Sequence, residues 1–215
     1  MICVSVGEKD FREAVRAASA FEFAEIRLDL LGRVDSNIAK KIFSSHKKLI
    51  ATYRKGNESD RERLEILETA VESGAAFVDS DISENLSFIS SVRTFCRDKA
   101  VFIVSYHDFK ETPSFSFLDA IITRAFSLGA DAVKIACSAD NITHVERLLS
   151  LPDYYGRNKI IIAGMGNFGE RVRILSESAG SWFTYASLPG KSATASGQLD
   201  HDELLMEQGR LSSVW

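Results

Sequence analysis

Cysteine is scarce in this chain, and what there is cannot form a framework. Cys3, Cys96 and Cys137 are the only three, an odd number set far apart. That spacing excludes a metal motif of the C-x-x-C type and argues against a disulfide scaffold, so a reducing compartment, the cytoplasm, is expected. Positive charge is not in excess either. Twenty-six lysines and arginines against 30 aspartates and glutamates leave a formal net charge of −4, which gives no electrostatic footing for nucleic acid. No apolar run approaches the roughly 20 residues that cross a bilayer, so no membrane partner is expected. The chain enters an apolar strand at Ile2 with no basic segment or cleavage site ahead of it, so no signal peptide is expected. No second His or Cys stands at ligand spacing from His107, and no set of ligands for a divalent ion is apparent, so no metal is expected.

What is present is an ordinary globular composition, 45% hydrophobic and 26% charged over 215 residues. Short apolar runs alternate with amphipathic stretches eight times. Strands are expected over residues 2–6, 23–28, 48–54, 76–81, 101–107, 131–136, 159–164 and 182–187. Helices are expected over 8–20, 36–45, 58–73, 85–97, 114–128, 141–149, 170–178 and 201–208, with Gly74 as a stop for the third. Strict alternation of β and α implies a parallel sheet covered by helices. Eight units predict a (β/α)8 barrel, a fold that runs from about 200 to about 250 residues without large insertions. The length leaves little room for a second domain, so a single barrel domain over residues 1–215 is expected. An open doubly wound sheet is the other arrangement with this alternation.

One strand stands out. Asp131-Ala132-Val133-Lys134-Ile135-Ala136 is short, apolar and rich in β-branched residues, yet Lys134 sits in its middle. A lysine there is costly unless its charge is paired or its amine is neutral. Either its stem packs while the ammonium meets a carboxylate, or it is an amine that forms a Schiff base with a carbonyl substrate. The rest of the chain bears on the choice. Arg27, Arg54, Asp79, His107 and Lys134 fall near the C-terminal ends of successive strands, 27, 25, 28 and 27 residues apart, about one β–α unit each. Side chains two apart in a strand share a face, so Glu25 joins Arg27, Thr52 joins Arg54 and Ser105 joins His107. Barrel active sites lie at that rim, and five such residues at one level predict a shared site.

Three further stretches carry chemistry. His107 ends a strand where its titration near neutrality suits general acid/base work. Gly164-Met165-Gly166-Asn167-Phe168-Gly169 fits G-x-G-x-x-G after a strand. It comes late in the chain, no acidic residue ends the next strand near Ser187, and too little chain follows for a second nucleotide-binding half. A Gly-rich turn opening a helix can still hold an anion through backbone N–H groups, with Arg171 and Arg173 just beyond. Residues 189–198 form a small, polar, glycine-bracketed loop, expected to act as a lid that closes on substrate.

Taken together, Glu25-Ile26-Arg27, Thr52-Tyr53-Arg54 with Glu58, Asp79, Ser105-Tyr106-His107-Asp108-Phe109, Val133-Lys134-Ile135-Ala136, Met165-Gly166 with Gly169 and Arg173, and Gly197-Gln198 resemble the type I 3-dehydroquinate dehydratases over nearly the whole chain. The resemblance implies that Lys134 is the Schiff-base lysine, that His107 is the acid/base, and that Glu58 orients His107. It implies that Arg173 holds the substrate carboxylate and that Glu25, Arg27, Arg54, Asp79, Thr194 and Gln198 contribute to substrate binding. Three departures stand out: Thr194 where the family usually has serine, Ser196 where it usually has proline, and Asp81 where a longer Glu is common. The implied reaction dehydrates 3-dehydroquinate to 3-dehydroshikimate in the shikimate pathway. It uses no metal or organic cofactor, because the lysine supplies the electron sink. The sequence allows a homodimer without requiring one. Two other readings fit the same barrel: a class I aldolase-type enzyme acting on a sugar phosphate, and a barrel that binds a metabolite or partner protein without catalysis. The arginines at several strand ends favour a polyhydroxy carboxylate over a sugar phosphate, and borohydride trapping at Lys134 separates enzyme from binder.

Overall fold

The elements form where apolar runs meet capping residues. The computed structural model describes residues 1–191 and 197–212. Thr194 and Ser196 therefore lie outside the described residues, as does half of the expected lid, residues 192–196. Strand β1 (Ile2–Val6) is buried from Cys3 onward. Asp10 caps α1 (Phe11–Ala18) by accepting from the N–H groups of Arg12 and Glu13, which starts the helix at residue 11 rather than 8. β2 (Ala24–Arg27) runs into a single 3-10 turn over Leu28–Leu30. Next come α2 (Ser36–Phe43), capped by Asp35, and β3 (Leu49–Thr52). A reciprocal capping box between Ser59 and Glu62 opens α3 (Asp60–Glu72). Gly74 then turns the chain at φ +106°, a value that favours glycine. β4 (Phe77–Asp81) precedes α4 (Leu86–Cys96), which Asn85 caps.

The second half repeats the pattern with β5 (Val101–Asp108), α5 (Phe115–Ser127) and β6 (Ala132–Ser138). It continues through α6 (Ile142–Tyr155), β7 (Ile160–Met165), α7 (Gly169–Leu175), β8 (Thr184–Ser187) and α8 (His201–Ser212). Helix α6 runs six residues past its expected end, through Pro152. A proline normally closes a helix. Here Leu151 and Pro152 are buried, the Tyr154 ring meets Phe115 at 4.7 Å, and the Tyr155 hydroxyl donates to Asp119, so packing outweighs the lost hydrogen bond. The eight strands make one sheet in the order β7-β6-β5-β4-β3-β2-β1-β8. β2–β3, β3–β4, β4–β5 and β6–β7 pair in parallel. β7 and β8 also meet, since the Trp182 N–H ahead of β8 donates to the Ile160 carbonyl at 2.9 Å. The fold is the (β/α)8 barrel class.

The chain packs as two compact units. One, here the N-terminal unit, comprises residues 5–105 and 125–131; the C-terminal unit comprises 1–4, 106–124 and 132 onward. The core of the first includes Ile26, Phe43, Ile50, Leu67, Val78 and Phe102, with the rings of Phe23 and Phe77 5.3 Å apart. The core of the second includes Val133, Ile135, Leu148, Ile160, Ile162 and Phe183. All seven residues of β6 are buried, as expected of a parallel strand covered on both faces. Among the described residues no helix is long and apolar enough to cross a membrane.

Candidate active site

In the C-terminal unit, β6 carries Lys134 into the interior, where only 7% of it is exposed. Its ammonium lies over the Tyr185 ring of β8, 4.3 Å from the centroid. The ring's negative face favours positive charge at Nζ, on an ammonium or on an iminium formed there, by ~2 kcal/mol or more when water is excluded. The same tyrosine holds a second cation, because its backbone carbonyl accepts from Arg173 Nη1 at 3.2 Å. Arg173 is 2% exposed, and its Nε meets no hydrogen-bond partner among the described residues. Burial pushes its guanidinium down from 12.5 to about 10, and Tyr185 opposes that shift. It remains a cation at neutral pH, held where an arriving anion would be strongly favoured. Arg171, two residues earlier, is exposed, so of the two arginines on α7 only Arg173 faces inward.

His107 is half-buried near the end of β5, its ring nearly parallel to that of Phe109 with centroids 6.0 Å apart. The residues around it are braced. Tyr106 donates its hydroxyl to Asp108 at 3.2 Å, and the Asp108 carboxylate accepts the N–H groups of Lys110 and Glu111. Partial burial works to raise the Asp108 carboxyl, but those three donors outweigh it and hold it below the usual range. Burial, then the Asp108 charge, push the Tyr106 phenol up to about 12.

In the N-terminal unit, the strand ends present a second group. Glu25 is 3% exposed, and both its oxygens are occupied: Ser5 donates to one at 2.6 Å and Thr52 to the other at 2.8 Å. Arg27 is clamped by both oxygens of Asp29, at 3.0 and 2.6 Å. Arg54 lies two residues beyond β3 and reaches Asp79 Oδ1 at 2.8 Å, where Ser105 also donates at 2.6 Å. Burial opposes the charge on both arginines. Asp29 and Glu25 for Arg27, and Asp79 and Glu25 for Arg54, outweigh it, so both are raised and stay cationic. The register qualifies the expectation of a single level. Arg27 is matched to Thr52, Thr52 to Asp79, and Asp79 to Ile103. Arg54 therefore stands higher than Arg27 and comes back to that level through its long side chain. Strand stagger of this kind accompanies barrel closure.

Glu58 is exposed in the segment before α3, and Gln198 is half-buried just after Gly197. The expected anion role of the Gly-rich turn is not supported by its hydrogen bonds. The Phe168 N–H donates to the Ala139 carbonyl and the Gly169 N–H to the Gly166 carbonyl, so both are spent within the protein. Sequence reasoning missed Ser5, Asp29 and Tyr185. Ser5 and Tyr185 are buried residues of ordinary strands, and only pairing across the sheet gives them a task. Asp29 had a local signal, an acid two residues after Arg27 in a short turn.

The model of the type I 3-dehydroquinase family matches residues 2–207. A 3-dehydroquinate dehydratase of Methanococcus maripaludis is 35% identical over 216 aligned residues, covering 95% of this chain and 96% of that one. One from Dehalococcoides mccartyi is 32% identical over 204 residues, covering 92% and 90%. Among solved structures, a type I 3-dehydroquinate dehydratase of Clostridium difficile with covalent modified comenic acid has a TM-score of 0.84 at 23% identity, covering 100% of this chain and 92% of that chain. That last likeness bears on the fold alone.

Proposed function

Because the chain belongs to the type I 3-dehydroquinase family, we propose that it works through a Schiff base on Lys134. The reaction is the dehydration of 3-dehydroquinate to 3-dehydroshikimate, a hydro-lyase step of the shikimate pathway. The observation that carries the lysine's role is its setting: a nearly buried amine in the middle of an apolar strand, over the Tyr185 ring.

The substrate ketone condenses with the neutral amine and water leaves, giving an iminium. The iminium withdraws electrons from the adjacent carbon and acidifies its proton. His107 removes that proton, and the electrons flow toward the iminium nitrogen. They return as the tertiary hydroxyl departs, protonated by the same histidine. Hydrolysis of the product iminium frees Lys134. Glu58 orients His107. Arg173 takes the carboxylate, for which its buried and under-bonded guanidinium is suited. Glu25, Arg27, Arg54, Asp79, Thr194 and Gln198 meet the hydroxyls or the carboxylate. The lysine supplies the electron sink, so the reaction calls on no organic cofactor or metal. Family membership sets the sugar-phosphate aldolase reading aside. We take the chain as one catalytic domain, acting in the cytoplasm, and light scattering would test whether it forms a homodimer.

The test is borohydride reduction in the presence of 3-dehydroquinate, followed by peptide mass mapping. A stable adduct is expected on Lys134 and none in Lys134→Ala, which should fold but not turn over. Labelling of another lysine, or turnover by Lys134→Ala, would overturn the assignment.

A further inference from the structure

The G-x-G-x-x-G stretch between β7 and α7 has no part in the reaction as drawn. We propose that it is a positioning device: Gly166 and Gly169 form a floor without side chains, Gly197 rests on it, and this seat sets the place of Gln198. The inference rests on the reading of Gln198 as a substrate-binding residue.

The geometry is a stack of bare backbones within one unit. A Cβ on Gly169 would stand 3.0 Å from the carbonyl carbon and oxygen of Gly164 and 3.6 Å from Gly197 Cα. A Cβ on Gly197 would meet the Gly166 carbonyl oxygen at 3.0 Å and Gly169 Cα at 3.4 Å. The 3.0 Å contacts are with main chain, so a methyl group at Gly169 presses on Gly164 and one at Gly197 presses on Gly166, and backbone must give by a few tenths of an ångström; the contacts between Gly169 and Gly197 are then close van der Waals packing. Gly166 and Gly197 also adopt φ of +73° and +70°, which favours glycine at both. Two residues past Gly197 the chain is pinned again. The Leu199 carbonyl accepts the Ser187 N–H at 2.9 Å, and Asp200 bridges to Ser187 of β8. Gln198 therefore sits between two fixed points, one made by the glycine floor and one by β8. Gly169 serves close approach of chain to chain, a Cβ on Gly166 would instead meet Ser138 Oγ at 2.5 Å and Asp140 Oδ1 at 2.9 Å, and two of the turn's N–H groups are already engaged.

Gly156 supplies the control. It has φ +88° at the end of α6, but a Cβ there meets nothing within 4 Å. Gly156→Ala introduces the backbone strain without the collision. Gly169→Ala introduces the collision at the first position of a helix, where alanine is intrinsically favoured. The experiment measures kcat, KM and the borohydride adduct for Gly197→Ala, Gly169→Ala, Gly156→Ala, Gln198→Ala and the double variant Gly197→Ala/Gln198→Ala. We expect KM for 3-dehydroquinate to rise roughly 3–10-fold in Gly197→Ala and Gly169→Ala, a fraction of the ~10²-fold that a 1 Å displacement can cost. The Lys134 adduct should still form at saturating substrate, and Gly156→Ala should stay within about twofold of the parent, because backbone strain alone displaces nothing at the site. The double variant should be no worse than Gln198→Ala. A wild-type KM in both floor variants, or effects of Gly197→Ala and Gln198→Ala that multiply, would overturn the proposal. Should Gly197→Ala fail to fold, Gly169→Ala decides alone. A wild-type KM in Gln198→Ala refutes the role of Gln198 itself. A raised KM there with unaffected floor variants refutes only the floor.

Discussion

Replacing Arg173 by methionine should make the free protein more stable and the enzyme worse. The guanidinium is 2% exposed, with one carbonyl partner at 3.2 Å and an Nε that meets no partner among the described residues. Burial depresses it to about 10, a gap from 12.5 that corresponds to ~3 kcal/mol of charge held at a disadvantage. Methionine fills similar space without that charge, and such swaps of buried ions are often neutral or stabilising. The bond to the Tyr185 carbonyl is lost, which costs about 1 kcal/mol. The net is a gain of ~2 kcal/mol, or roughly 4–8 °C in Tm for a chain of this size. The opposite sign applies to function. A charge-assisted bond to a carboxylate contributes ~1.5–3 kcal/mol, so kcat/KM should fall roughly 10–150-fold. Calorimetry of parent and variant, with and without 3-dehydroquinate under slow-turnover conditions, reads both effects. A Tm for Arg173→Met equal to or below the parent's would show that the charge is already compensated in the free protein, and the argument for a waiting anion site would fall.

Three other outcomes are expected. His107→Ala should still form the Lys134 adduct but process it ~10²–10⁴-fold more slowly, so mass spectrometry with substrate should show the adduct accumulate; no adduct at all would mean the histidine acts earlier. Asp79→Asn removes the charge that meets Arg54 at 2.8 Å and Ser105 at 2.6 Å, and should lower stability by ~1–3 kcal/mol and raise KM, read by urea unfolding and steady-state kinetics. Burial, reinforced by Asp131 at Cys96 and by Asp108 at Cys137, pushes both thiols up to about 12, so neither is a thiolate at pH 8; Cys3 is buried as well, and a disulfide reagent should find all three cysteines only after unfolding.

Much of this was legible because parallel strands are buried on both faces. In Ala132–Ser138 every position is interior, so a lysine there is conspicuous, and the unit spacing of Arg27, Arg54, Asp79 and His107 is visible without coordinates. Strand ends were less legible. β3 stops at Thr52 and Arg54 lies beyond it, and the bond to Asp79, the register partner of Thr52, is what brings Arg54 back to that level. The Gly-rich turn was read through its N–H groups, two of which bond within the protein; composition alone does not distinguish a turn that holds a ligand from one that holds another backbone. Helix α6 passed its proline because distant rings and a carboxylate secure its last turn, information that no local window contains. The partners Ser5 and Tyr185 were invisible for the same reason: each matters through a neighbour on another strand.

That last property has a consequence for how such a chain can change. Glu25 of β2 is held by Ser5 of β1 and Thr52 of β3, and Arg54 by Asp79 of β4, which is held in turn by Ser105 of β5. Arg27, clamped by Asp29 two residues on, carries its support within its own β–α repeat, but Glu25, Arg54 and Asp79 do not. A repeat exchanged by recombination would arrive without the hydroxyl or carboxylate that its acid or arginine depends on. Innovation by shuffling repeats is therefore penalised, and drift must proceed through matched changes on adjacent strands. Pairwise saturation libraries across Ser5, Glu25 and Thr52, and across Arg54, Asp79 and Ser105, should show that signature as strong epistasis between neighbouring repeats, with the two triplets linked through the charges of Glu25 and Arg54.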